Sequence, residues 1–361
     1  MMNDVALWTI GRGWADSIFM SNESRVRIGI VGAGGIVKQR HMPGLRAIPG
    51  VEITAVCNST LASAEAFCRE HAPEAEPVEQ WQLLADRDDV DVVWIGATPF
   101  MHSEVAIYAL HCGKHVFCQA RMADGLPEAE RMWEAAIRFP DRVTALCPAP
   151  HGMRGGELLK SLLAEGAIGV PHQMTLHSFN DAWLDATAPA HWRQKIEVSG
   201  IQILTLGIYA EVMQRWLGDI TEVSARGRVV FPQRGDVEVQ IPDFVNVLCK
   251  FRNGVEGVMQ FSGVAAHAPT DLFTLYGSEG MLSYDMLTDE LKLGRRGETP
   301  VVLPIPEEQI REWTVERDFI ASVRDLAAPR PKPDFTEGIR YMRVVNAVWD
   351  SMDTDRTVRI G

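Results

Sequence analysis

Residues 25–36 read Arg-Val-Arg-Ile-Gly-Ile-Val-Gly-Ala-Gly-Gly-Ile, and no other stretch of this chain restricts its fold as tightly. A short β-branched run ends in a glycine turn and a helix-like segment follows. That junction leaves bare backbone N–H groups and a helix N-terminus where a pyrophosphate can sit. Gly32 permits the tight turn, and Gly34 lets the backbone approach phosphate oxygens with no Cβ between them. Val37 stands at the third position of Gly-x-Gly-x-x-Gly, so the bare pattern also fits an ordinary strand-to-helix turn. A second strand-like run at βαβ distance, 52–57, favours dinucleotide binding, with Gly32, Gly34, Gly35 and Ile36 as the expected contacts.

A chain of 361 residues exceeds one typical domain, so two are expected. The net charge of −13, with no basic stripe to offset it, argues against nucleic acid or an anionic membrane as partner. No segment is long and apolar enough to span a bilayer. The six cysteines form no C-x-x-C pair and several lie in apolar runs, which reads as reduced core thiols of a cytoplasmic protein. Scattered His and Cys show no metal-ligand spacing, so no metal is expected. Residues 1–24 lack the basic start and small-residue cleavage site of a signal peptide and read as an N-terminal extension.

From 25 to 147 strand-like runs (27–31, 52–57, 90–95, 115–117, 142–146) alternate with helical ones (36–46, 61–71, 80–85, 103–112, 127–138). This alternation predicts an α/β dinucleotide-binding domain with a parallel, doubly wound sheet. From 148 to 361 the rhythm changes. Strand-rich segments at 170–179, 220–231, 243–251, 255–263, 271–276 and 280–284 follow a helix at 157–165 and are interrupted by a long helix at 201–217. They predict an α+β domain with a large, mostly antiparallel open sheet, closed by helices at 306–327 and 335–352 that pack back on the first domain.

The second strand ends at Asn58 and Ser59, where an acid usually holds the adenosine ribose. Asn58 can bond a hydroxyl but brings no charge, and a plain turn role is the alternative. No arginine follows to hold a 2′-phosphate, so NAD is expected and NADP is not excluded. The turn carrying Ala97, Thr98 and Pro99, with His102 beyond it, ends the next parallel strand and faces the dinucleotide edge.

Taken in order, the segments resemble one family. They are Gly-Ala-Gly-Gly-Ile; His41-x-Pro43-x-Leu45; Ala97-Thr98-Pro99 with His102; Gly113-Lys114-His115-Val116; Trp192-Arg193; Ser199-Gly200; Leu206-Gly207; and the run 276–280, Tyr-Gly-Ser-Glu-Gly. The set is similar to the glucose–fructose oxidoreductase / inositol dehydrogenase / rhizopine-catabolism (Gfo/Idh/MocA) family over residues 25–361. The resemblance implies a Rossmann domain, a C-terminal α+β domain whose open sheet forms homodimers or homotetramers, a nicotinamide cofactor, and a sugar or cyclitol substrate. It also implies cofactor contacts at Gln119, Trp192 and Arg193.

The departures bear on the chemistry. The family reads Glu-Lys-Pro where this chain has Gln119-Ala120-Arg121, so the lysine that polarises the reacting hydroxyl is absent. The family's orienting aspartate and catalytic histidine align with Thr205 and Tyr209. Tyr209 is then the acid–base candidate, provided that a nearby positive charge lowers its pKa; a buried core tyrosine is the alternative. Arg121 offers a donor fork for a substrate carboxylate, sulfonate or phosphate, against a simple ion pair with Asp124. His191 is a third catalytic candidate, against a capping role. His177, Asn180 and Asp181 form a less specific substrate wall, and His151 fits a proline-rich turn.

The leading expectation is an NAD(P)-dependent oxidoreductase with a rebuilt site, acting on a hydroxyl of a sugar, sugar acid or cyclitol. One alternative is an NAD-dependent glycoside hydrolase working by transient oxidation, elimination and hydride return. A catalytically inactive cofactor-binding or sensor protein is the other.

Overall fold

The computed structural model describes residues 25–149, 153–268, 270–310 and 312–361. The extension at 1–24 and His151 lie outside the described residues. The first sheet holds six strands: β1 (Val26–Val31), β2 (Val51–Cys57), β3 (Glu76–Val78), β4 (Val92–Ile95), β5 (His115–Cys118) and β6 (Thr144–Leu146). They are all parallel, in the order β3-β2-β1-β4-β5-β6. β4 and β5 are buried at every residue, as strands covered on both faces must be. The helices α1 (Met42–Arg46), α2 (Leu61–His71), α3 (Trp81–Ala85), α4 (Pro99–His111) and α5 (Leu126–Arg138) supply the crossovers. A π turn, Val37–His41, leads into α1. The strand order reverses between β1 and β4, and a crevice opens at their carboxyl ends.

The chain continues through α6 (Gly156–Ala164) to the central strand β7 (Pro171–Phe179), then α7 (Ile196–Ser199) and α8 (Leu206–Leu217). A nine-stranded sheet is completed by β8 (Ile220–Arg228), β11 (Phe244–Phe251), β12 (Glu256–Ser262), β13 (Thr270–Gly277), β14 (Gly280–Asp285), β15 (Glu290–Arg295), β16 (Val301–Leu303) and β17 (Val358–Arg359). Only the pair β7–β12 is parallel. Between β8 and β11 a small hairpin, β9 (Gln233–Arg234) and β10 (Val237–Glu238), stands apart. α8, buried over most of its length, and α10 (Phe335–Thr354) pack on one another, and α10 also covers β8 and α5. Helix α9 (Val315–Arg324) returns to the first sheet, where Phe319 and Ile320 join the core of Ile28, Ile30, Trp94 and Phe117.

Two expected helices are shorter in the structure. The segment 201–205 is not helical, because its polar groups bond across to the loop after β5. Ile201 N–H donates to Asp124 O at 2.8 Å, the Gln202 amide donates to Ala123 O at 2.7 Å, and Leu204 adopts φ +45°. Those long-range bonds outweigh local helix propensity. The expected helix 306–327 is a 3₁₀ turn, Glu307–Gln309, followed by α9, and the edge strands β16 and β17, of three and two residues, are too short to carry a readable pattern.

Candidate functional site

A cleft of about 390 Å³ opens at the carboxyl ends of β1, β4 and β5, within the size range of ligand sites. Gly34, Gly35 and Ile36 line one end of it. Gly32 has φ +85°, and a Cβ there would sit 2.4 Å from Ala97 N, so this position accepts only glycine. A Cβ at Gly34 or Gly35 would meet no protein atom within 4 Å, because both face the open cleft. Bare backbone at a helix N-terminus, with Arg40 on the same wall, suits a pyrophosphate.

Asn58 braces this turn from behind. Its Oδ1 accepts Ala33 N–H at 2.7 Å and its Nδ2 donates to Ser63 O at 3.2 Å. The amide is thereby committed to backbone rather than projecting to a ribose, and Ser59 is exposed beside it, off the cleft wall. Ala97, Thr98 and Pro99 form the opposite wall. His102 lies fully buried behind them, its ring nitrogens 2.9 Å from both Ala97 O and Arg121 O. Burial lowers its pKa, and with both ring nitrogens turned to backbone carbonyls it braces the wall rather than facing a ligand.

The far end of the cleft carries Gln119, Ala120 and Arg121 after β5, with the Ala120–Arg121 peptide in the cis form. Arg121 is only 4% exposed and its Nε has no hydrogen-bond partner. No described carboxylate acts on its charge, and Asp124 Oδ1 is itself without a hydrogen-bond partner. Burial, with the charge of Arg193 added, lowers its pKa to about 10. Trp192 and Arg193 close the cleft from the other half of the molecule, the guanidinium stacked 4.3 Å over the indole. Their loop is pinned at two points. Buried Arg234 donates to the carbonyls of Trp183, Asp185 and Ala188, and buried Asp243 accepts from Gln194 Nε2.

Two of the three expected catalytic groups lie elsewhere. Tyr209 is fully buried, turned to the second sheet with its ring 6.2 Å from Phe261. Burial, then the charge of Asp271, raises its pKa, the reverse of what acid–base work requires. The Thr205 hydroxyl is likewise spent on Ser178, at 2.9 Å. His191 caps the turn Trp192–Gln194 by accepting Arg193 N–H at 3.1 Å and does not line the cleft. His177 lies on β7 beside Phe179. Sequence reading missed Arg40, Cys147, Ile208 and Trp313, all of which line the cleft. Arg40 had a signal, since it follows Ile36 by one helical turn. Trp313 had none. The Cys147 thiol, pushed up to about 12 by burial, stays protonated. Among the described residues, no group of three or more His, Cys, Asp or Glu is placed to hold a metal ion.

Three arginines and no carboxylate among the described lining residues give this Rossmann crevice a positively charged lining. Residues 26–145 match the oxidoreductase family with an NAD-binding Rossmann fold, and residues 157–283 match the GFO/IDH/MocA C-terminal domain. The chain belongs to the Gfo/Idh/MocA family. Among its members, dTDP-3,4-didehydro-2,6-dideoxy-alpha-D-glucose 3-reductase of Actinomadura kijaniata is 28% identical over 73% of this chain and 75% of its own length. Myo-inositol 2-dehydrogenase of Thermotoga maritima is 25% identical over 93% and 98%. Levoglucosan dehydrogenase in complex with NADH shares the fold, with a TM-score of 0.83 at 20% identity over 94% of this chain and 100% of the other. This cleft brings together the glycine turn, the Trp192–Arg193 pair, and Ala120 with the buried Arg121 next to it.

Proposed function

We propose that this chain is an NAD(P)-dependent oxidoreductase acting on a hydroxyl, or in reverse a carbonyl, of a sugar acid or other anionic sugar or cyclitol. The family and its named relatives, all dehydrogenases or reductases of sugars and cyclitols, support the reaction class. The observation that carries the substrate class is Arg121, a guanidinium buried without an anion. Burying an uncompensated charge is expensive, and a carboxylate answering its fork removes that cost. Nothing in the cleft favours redox-assisted glycoside cleavage or a binding-only role.

When bound, the nicotinamide supplies the hydride acceptor or donor. Gly34 and Gly35 offer bare backbone to the pyrophosphate, and Arg40 adds positive charge. Trp192 and Arg193 close over the reacting end. Arg121 holds the substrate's anionic group, and Arg193 stabilises negative charge that develops on the substrate oxygen. No described residue lining the cleft titrates near neutrality, so the hydroxyl proton leaves to water rather than to a side chain. Asn58 does not repel a 2′-phosphate, so both cofactors remain in the proposal. We further propose a homodimer or homotetramer through the nine-stranded sheet, and a cytoplasmic location that suits six unpaired, mostly buried cysteines. Among the described residues, no helix is long and apolar enough to cross a membrane.

The test pairs uronates and aldonates with their neutral parent sugars, alongside cyclitols, with NAD or NADP, following reduced nicotinamide. The acids should turn over with kcat/KM at least about tenfold above the neutral parents, as for one charge-assisted hydrogen-bonded contact. Equal rates for neutral and acidic substrates would remove the anionic class.

A further inference from the structure

Two buried ionisable groups stand behind the cleft without lining it. His41 follows the glycine turn and is fully buried; Glu316, on α9, is 2% exposed. His41 Nδ1 lies 2.5 Å from Glu316 Oε1. The same carboxylate accepts Trp313 Nε1–H, at 2.9 Å to Oε2. A carboxylate only accepts, so the ring donates through Nδ1–H. On its other side, His41 Nε2 contacts Gln119 Nε2. An amide nitrogen only donates, so here the ring accepts. A single ring proton, on Nδ1, satisfies both contacts. The ring is held edge-on by Trp94 at 5.0 Å and Phe117 at 5.3 Å.

The consequence falls on Gln119, which does line the cleft. With its nitrogen committed to the imidazole, the amide shows its oxygen to the ligand. We propose that Glu316, acting through the tautomer of His41, is a positioning residue that locks Gln119 with its carbonyl oxygen toward the nicotinamide half of the cofactor, as an acceptor for a ribose hydroxyl. The proposal rests on the cofactor reading above. It assigns to a C-terminal helix a part in orienting a group on the Rossmann half. Glu316 touches no ligand, and its influence is the choice of which ring nitrogen carries the proton.

Glu316→Gln tests this in the full-length protein. Trp313 Nε1–H claims the new amide's oxygen, so its NH₂ faces His41 Nδ1 and drives the proton to Nε2. Gln119 must then turn its oxygen to the ring and its NH₂ to the cleft. NADH affinity, followed by fluorescence, should weaken roughly tenfold, the scale of one misdirected hydrogen bond. In a Gln119→Ala background the same substitution should change affinity less than about twofold, because the responding group is gone. Pairing Glu316→Gln with Gln119→Glu should restore tight binding, since a carboxylate accepts on both sides. An equal loss in the Gln119→Ala background, or no loss at all, overturns the proposal. The ¹⁵N spectrum of the wild-type His41 ring gives an independent reading even if a variant fails to fold. An unprotonated Nε2 is expected, and a protonated Nε2 overturns the proposal. A wild-type protein that binds neither NADH nor NADPH sinks the oxidoreductase reading instead, while the ring spectrum still judges the relay.

Discussion

Replacing Arg121 by Met separates stability from function with opposite signs. The guanidinium pKa falls from 12.5 to about 10 in the folded chain, chiefly through burial and secondarily through Arg193. At 1.36 kcal/mol per pKa unit, carrying that charge in the ligand-free fold costs about 3 kcal/mol. The sign follows from linkage. A base with a depressed pKa binds its proton more weakly folded than unfolded, so the cost is fully present at neutral pH and disappears only as pH rises from about 10 toward 12.5. Methionine keeps an unbranched stem against Gly207, where an added Cβ would lie 3.2 Å from Arg121 Cδ, and carries no charge. Urea unfolding at neutral pH should therefore show Arg121→Met more stable than wild type by about 1–3 kcal/mol. The same variant should lose its preference for acidic substrates, with KM for a sugar acid raised about 100-fold and KM for a neutral sugar little changed. An anionic substrate should raise the melting midpoint of wild type and not of the variant. A variant destabilised by more than about 1 kcal/mol would mean that the fold already compensates the guanidinium, and the argument for a bound anion would fail.

Gly34→Ala should leave the melting midpoint unchanged, since its Cβ meets no protein atom, yet weaken NADH binding by at least about tenfold; unchanged affinity would put the pyrophosphate elsewhere. Tyr209→Phe should keep kcat within about twofold of wild type, and loss of turnover would return the buried hydroxyl to the mechanism. In the oxidation direction kcat/KM should climb steadily over roughly pH 7 to 9, because Arg121 stays cationic and no lining residue supplies a base; a plateau breaking near pH 6.5 would reveal a histidine. Arg234→Met should cost about 2–4 kcal/mol by orphaning three loop carbonyls, and raise substrate KM more than it lowers kcat; an unchanged KM would show that the loop holds without its pin.

Local signals were legible where they stood alone. Helix α2 reads from the sequence with its observed bounds because Thr60 caps it, accepting Ser63 N–H at 3.2 Å, and nothing distant competes. The Rossmann alternation was equally plain, since each parallel strand is a short apolar run between helices. The start of α8 was not, because contacts to Ala123 and Asp124, roughly eighty positions earlier in sequence, unwind 201–205. Tyr209 shows a sharper limit. Family position pointed toward the reaction, whereas an aromatic ring on a buried helix face pointed toward Phe261, and packing prevailed. Glu316 gave no sign at all, since an acid in the first turn of a helix is ordinary until its burial against His41 is seen.

The return of α9 to the first sheet sets an order of events during synthesis. Gln119 leaves the ribosome nearly two hundred residues before Glu316 does. At 5–20 residues per second that interval lasts roughly 10–40 s. The nascent Rossmann half passes this time without Phe319 and Ile320 in its core and without the carboxylate that fixes His41. Dinucleotide captured in that window would meet an unset amide and an uncovered apolar face. Tight loading of the cofactor is therefore a late event, available only once the C-terminal segment has come home.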